Sequence, residues 1–92
     1  MTSTFRLGVS TNDGIQTIAI TGELDAASCP ELERCLDGCA APAARVLLDL
    51  RGLNFMDTAG VELLERTYMQ AAHEGWAFAV LTPGERFLAR AA

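Results

Sequence analysis

NFMDTAGVELL, residues 54–64, joins a strand-like run to a helix-like run. One carboxylate (Asp57), one hydroxyl (Thr58) and one glycine (Gly60) sit at the join. Upstream, RVLLDL (residues 45–50) is a nearly continuous apolar run, the pattern of a central strand covered on both faces. Residues 51–57 read as the loop leaving that strand. Downstream, a helix is expected from about Ala59 to His73, with Val61, Leu64, Tyr68 and Ala71 or Ala72 as its inward stripe and Gly75 as its stop signal. A strand feeding a helix in this way is half of a β-α-β unit, so the chain reads as α/β.

The flanks fit the same plan. Residues 4–9 alternate like an edge strand, and Thr11-Asn12-Asp13-Gly14 is a hairpin turn signal. IQTIAIT (residues 15–21) is a second strand, antiparallel to the first. Gly22-Glu23-Leu24-Asp25 reads as a loop. Ser28 is a candidate N-cap for a first helix, with Pro30 in its first turn and Glu31 three residues on. Leu32, Cys35, Leu36 and Cys39 form that helix's buried stripe, ended by Gly38 and Ala41-Pro42. WAFAVL (residues 76–81) is a fourth strand, Pro83-Gly84 a turn, and Glu85 to Ala91 a third helix. The order β-β-α-β-α-β-α implies two right-handed crossovers and a mixed, mostly parallel sheet of about four strands packed against helices. Residues 1–92 are expected to be one domain. The final helix is short for independent stability, so either the domain is compact or a C-terminal segment is missing.

Composition narrows the function. The net charge is −5, and the seven basic residues are all arginine, scattered singly from Arg6 to Arg90. That pattern argues against a phosphate-backbone footprint for nucleic acid and against adhesion to an anionic membrane. No apolar run approaches a membrane span, and the N-terminus lacks the order of a signal peptide, so a cytoplasmic location is expected. The three cysteines, Cys29, Cys35 and Cys39, are odd in number, which disfavours a disulfide framework in a reducing compartment. A metal site needs more ligands, and the only histidine, His73, is distant in sequence. The thiols are read as buried and structural, with no cofactor and no metal.

Asp57 and Thr58 carry the remaining chemistry. Both are favoured N-caps, and capping alone explains them. A helix start at the carboxyl edge of a parallel sheet also offers free N–H groups and a favourable dipole, so a phosphate on Thr58 would be tolerated there. Asp25 stands either as a turn carboxylate or as part of a contact surface at the same edge. Asp49 within RVLLDL is expected to point outward, and Glu62 is ordinary helix-surface charge. Catalysis would need a base near Thr58. His73 is fifteen residues away, more than ~20 Å along a helix, and no enzymatic activity is expected.

Gly22-Glu23-Leu24-Asp25 and Leu48-Asp49-Leu50 through Phe55-Met56-Asp57-Thr58-Ala59-Gly60 together resemble STAS domains, especially bacterial anti-sigma factor antagonists. The resemblance spans roughly residues 5–90. It implies that Thr58, the hydroxyl directly after the motif Asp, is the phosphoacceptor. It further implies that the unphosphorylated protein sequesters an anti-sigma factor of serine/threonine kinase type, that phosphorylation ends binding, and that a phosphatase restores it. Partner contacts would involve Asp25, Asp57, Thr58, Gly60 and Val61. The sequence departs from the family's usual pattern in two ways: Thr58 replaces the commoner Ser, and Ala59 replaces a second hydroxyl. The same resemblance admits two alternatives, a small STAS subunit on the ATPase of a lipid-transport ABC system and a stressosome-type scaffold.

Overall fold

A computed structural model describes residues 4–83. β1 (Arg6–Asn12) and β2 (Ile15–Leu24) form an antiparallel hairpin closed by Asp13-Gly14, both at positive φ, as the twist of a two-residue hairpin loop requires. α1 (Cys29–Cys39) follows, then β3 (Arg45–Met56), α2 (Thr58–Glu74) and β4 (Ala77–Leu81). β3 pairs in parallel with β2 on one side and β4 on the other, giving the sheet order β1-β2-β3-β4. The mixed, mostly parallel α/β sheet is as expected. The third helix expected over 85–91 lies outside the described residues.

Two expected loops are strand. β2 runs on through Gly22-Glu23-Leu24, and β3 continues to Met56. For β3 the register explains why the sequence hides this. From Ala19↔Asp49 the pairing jumps to Thr21↔Gly52, and from Gly22↔Leu53 to Glu23↔Phe55, so β3 carries an extra residue twice. Each bulge breaks the period-two alternation that marks a strand. The buried residues of β3 therefore fall at Val46, Leu48, Leu50, Leu53 and Met56.

The core lies between one face of the sheet and the two helices, which also touch each other. Ile18, Ile20 and Leu24 from β2 meet Leu32 and Leu36 of α1 and Leu63 and Ala71 of α2 in one buried cluster. Burying each large aliphatic side chain contributes roughly 1.5–3 kcal/mol before chain entropy is counted. Asp49 has the opposite parity to Leu48 and Leu50. As expected it stays out of the core, accepting from the Arg51 backbone N–H, Nε and Nη2, each at 3.0 Å. These bonds hold its carboxyl below the usual carboxylate range.

Both helix stripes need correction. The fully buried positions of α2 are Gly60, Leu63, Thr67 and Ala71, while Val61 and Leu64 are half-buried and Tyr68 is exposed. A search for apolar periodicity passes over Gly60 and Thr67. Gly60 faces inward because the seat beneath it has no room for more: a Cβ there would lie 2.6 Å from Met56 Cγ and 3.1 Å from Leu24 Cδ2. Thr67 is admitted because its hydroxyl donates to Leu63 O at 2.8 Å. Tyr68 instead packs edge-on against Phe78, ring centroids 4.9 Å apart. On α1 only Leu32 and Leu36 are buried; Cys29, Cys35 and Cys39 are half-buried, not the fully buried thiols expected. Gly75 ends α2 as expected, left-handed at φ 81°, with its N–H on Ala71 O.

Candidate functional site at the carboxyl edge of the sheet

Leu24 pairs with Met56 at the ends of β2 and β3, and the Asp57 N–H donates to Leu24 O at 3.2 Å. Asp25 and Asp57, far apart in sequence, therefore leave the sheet side by side, Asp57 directly before α2 and Asp25 four residues before α1. Cys29, the first residue of α1, joins them. Burial pushes its thiol above its ordinary value, and the carboxylates of Asp57 and Asp25 push it further, with Arg66 pulling the other way.

The two acids are engaged differently. Asp57 is the N-cap of α2: its Oδ1 accepts from the Ala59 N–H at 2.9 Å, and its backbone carbonyl accepts from Gly60 and Val61. The capping role read from the sequence is thus real. Asp25 builds the turn into α1. Its Oδ1 accepts from Ala27 N–H at 3.0 Å and Ser28 N–H at 3.1 Å. Ser28 does not cap α1 through its side chain, and no capping box with Glu31 forms. Its hydroxyl turns back instead, accepting from Asp25 N–H and donating to Glu23 O, both at 2.9 Å. A serine hydroxyl close behind a strand end can bond to the nearby backbone in place of capping the helix.

Thr58 is the first residue of α2 and is exposed, and its hydroxyl makes no hydrogen bond among the described residues. Gly60 is buried beneath it and Val61 half-buried, so these two seat the helix rather than face outward. Sequence reasoning missed two neighbours. Phe55 is 45% exposed near the end of β3, a large apolar side chain two residues before Asp57. Cys29 stands between the acids. Phe55 was readable as part of the quoted stretch: two bulges together restore the parity of Val46, Leu48 and Leu50, so Met56 faces inward and Phe55 outward. Cys29's place depends on the parallel pairing and left no local signal.

Gly22 explains the other motif. It sits at φ 94°, in the left-handed region, and a Cβ there would collide with the backbone carbonyl of Thr4. The Gly-Glu-Leu-Asp stretch is thus a tight crossing of the N-terminal segment followed by the turn acid.

The arrangement offers an exposed hydroxyl next to the capping carboxylate of Asp57, at the sheet edge that also carries Asp25. No group of three or more His, Cys, Asp or Glu able to hold a metal exists among the described residues. No helix among them is long and apolar enough to cross a membrane. The STAS domain model matches residues 7–91, nearly the whole chain. The chain belongs to the STAS family. An anti-sigma factor antagonist from Mycobacterium paratuberculosis has a similar structure, with TM-score 0.70, 24% identity, and coverage of 90% of this chain and 73% of that one. A STAS-domain anti-sigma factor antagonist from Rhodobacter sphaeroides gives 0.69 at 18% identity, covering 96% and 91%. At these identities the likeness establishes the fold. No curated protein matches the sequence.

Proposed function

We propose that this STAS protein is an anti-sigma factor antagonist: a cytoplasmic, non-enzymatic binding module that captures an anti-sigma factor of kinase type and is released by phosphorylation of Thr58. The observation that carries the reading is the free, exposed hydroxyl of Thr58 at the start of α2, directly after the cap Asp57 and at the sheet edge that also carries Asp25. Family membership and the anti-sigma antagonist structures of the same fold support it.

The docking surface comprises Asp25, Asp57 and Thr58. Gly60 and Val61 act by setting the height of α2 over the sheet, and Phe55 supplies an apolar anchor. The partner brings ATP and Mg²⁺. Its base takes the Thr58 hydroxyl proton, the Thr58 Oγ1–P bond forms, and the bond from the γ-phosphorus to the ADP oxygen breaks. The phosphate adds a charge of roughly −1.5 to −2. It arrives beside two carboxylates and inside the interface, where an unpaired buried charge is costly. A phosphatase that hydrolyses the ester resets the module.

The test is capture of partners from the native cell with the tagged full chain, with mass spectrometry of Thr58. A kinase-type ATPase bound to the wild type and to Thr58→Ala, lost from Thr58→Glu, with phosphate on Thr58, is the expected result. An ABC-type ATPase with permease components and an unmodified Thr58 sinks this reading in favour of the lipid-transport subunit. Other STAS proteins as the main prey sink it in favour of a stressosome scaffold.

A further inference from the structure

The β4 side of the molecule carries apolar surface that the Thr58 face does not use. In α2, Arg66 turns toward α1, where its Nη2 stands 3.8 Å from Glu33 Oε2. The flank of the helix away from α1 carries Val61, Leu64 and Tyr68, spaced i, i+3 and i+7. Tyr68 packs on Phe78 of the edge strand, yet it is 48% exposed. Val61, Leu64, Phe78 and Val80 are only half-buried. This is the stripe that the sequence pattern marks as inward. Among the described residues, no element beyond β4 packs on it.

The strand edge beside it is equally bare. The Ala77 N–H donates to Ala44 O at 2.8 Å, so Ala77, Ala79 and Leu81 turn their backbone groups to β3. The N–H and C=O of Phe78 and Val80 point the other way, where no strand pairs among the described residues. Natural sheet edges are blunted by charge, proline or a bulge. β1, the other edge, has Arg6 and a polar run at Ser10, Thr11 and Asn12. β4 reads AFAVL, pairs with β3 in unbroken register and has none of these devices.

A second copy of the chain fits this edge, because a two-fold axis at Ala79 matches it on both faces. Antiparallel pairing about that axis sets Phe78 opposite the partner's Val80. These are the residues whose N–H and C=O face outward, so they form the hydrogen-bonded pairs. On the face away from the helices, Leu81 falls opposite the partner's Ala77. Beside Ala77 lies an open hollow of about 210 Å³, lined also by Ile15, Arg45, Leu47 and Ala79, which receives that leucine. No ionisable side chain occurs from Ala77 to Leu81, so no like charges meet on the strand. On the other face, α2 lies over β3 and β4. Adjacent strands stand ~4.8 Å apart, so α2 and its twin, two strand spacings away, are ~10 Å apart, the distance at which helices pack. Strand pairing alone would fall short of the ~1,200–2,000 Å² that a stable interface buries, and the facing helix flanks extend it.

We propose that the chain forms a two-fold dimer through antiparallel pairing of β4 with its twin, the Val61–Leu64–Tyr68 flanks of α2 packing across the axis. The dimer leaves the Thr58 face open, because β4 pairs with the Arg45–Asp49 half of β3 and Thr58 follows the other end of that strand. It therefore stands or falls apart from the reading of Thr58.

The experiment is sedimentation velocity of the reduced full chain over a dilution series. A monomer–dimer equilibrium in the wild type is the expected result. Ala79→Lys sets like charges opposite one another on the axis and should weaken the dimer by roughly 100-fold. Tyr68→Glu on the helix flank should weaken it by about 10-fold. Ser10→Lys, a lysine placed on the β1 edge instead, should dimerise as the wild type does. Ala79 and Ser10 are both exposed, so each lysine is accommodated, and far-ultraviolet circular dichroism establishes that the variants are folded. Ala79→Cys reads the register: with oxidised glutathione it should link two copies through that position, identified by peptide mass spectrometry. A wild type that stays monomeric throughout overturns the proposal and leaves the flank to the rest of this chain or to another partner. So does a dimer that Ala79→Lys leaves intact, one that Ser10→Lys weakens as strongly, or an Ala79→Cys variant that does not cross-link there.

Discussion

Two helices begin at the same edge of the sheet, each with an aspartate in the turn that leads into it and a hydroxyl close by. At α1, Asp25 and Ser28 bond to one another and to the end of β2, and Ser28 is only 5% exposed. At α2, Asp57 caps the helix alone and Thr58 projects into solvent with its hydroxyl free. One hydroxyl has become part of the scaffold; the other has been left available. The difference comes from spacing. Ser28 lies three residues after its aspartate, so its side chain folds back onto the turn. Thr58 follows its aspartate directly and sits inside the helix, where the first-turn N–H groups are already served by Asp57.

That contrast predicts a graded set of outcomes. The largest is for Ser28→Ala. It leaves the Asp25 N–H and Glu23 carbonyl without their partner in a partly buried turn, and should cost about 1–3 kcal/mol in urea unfolding. A cost near zero would mean that water replaces the hydroxyl and that the two starts are alike. Asp57→Ala removes a cap and should cost about 1 kcal/mol, recovered in large part by Asp57→Ser. Thr58→Ala should change stability by no more than ~0.5 kcal/mol, because an exposed, unbonded hydroxyl is lost. A larger loss would show that Thr58 is structural after all.

The smallest effect is electrostatic. Cys29 reads the field of both starts, since Asp57 and Asp25 each raise its pKa beyond what burial does. Removing a neighbouring negative charge favours the thiolate, so Asp57→Asn should lower that pKa and speed alkylation of Cys29 by iodoacetamide at a fixed pH below it. The rate should be followed by peptide mass spectrometry, to separate Cys29 from Cys35 and Cys39. An unchanged rate would place Asp57 electrostatically apart from α1 and break the pairing of the two starts.

The quoted stretch carried much of this. RVLLDL marked the central strand, the Asp-Thr pair marked a helix start, and Gly75 marked its end; all three stand in the structure. The mixed, mostly parallel character of the sheet followed from the alternation of elements, while its strand order came from the structure. The bulged half of β3 was not legible, because an inserted residue breaks the alternation by which strands are read; the end of β2 keeps its alternation, but Gly22 makes it read as a loop. The buried face of α2 was set one residue off its true position. Hydrophobicity gave Gly60 no weight, although the absence of its side chain is what lets the helix close on Leu24 and Met56.

The sequence by itself determined the α/β plan, the element order and the presence of an acid and a hydroxyl at a helix start, because each depends on neighbours a few positions apart. Tertiary structure alone decided that Asp25, Cys29 and Asp57 stand together and that Ser28 is locked while Thr58 is free. These depend on register across parallel strands. Register is fixed by packing between distant segments, and leaves no periodic trace in either one.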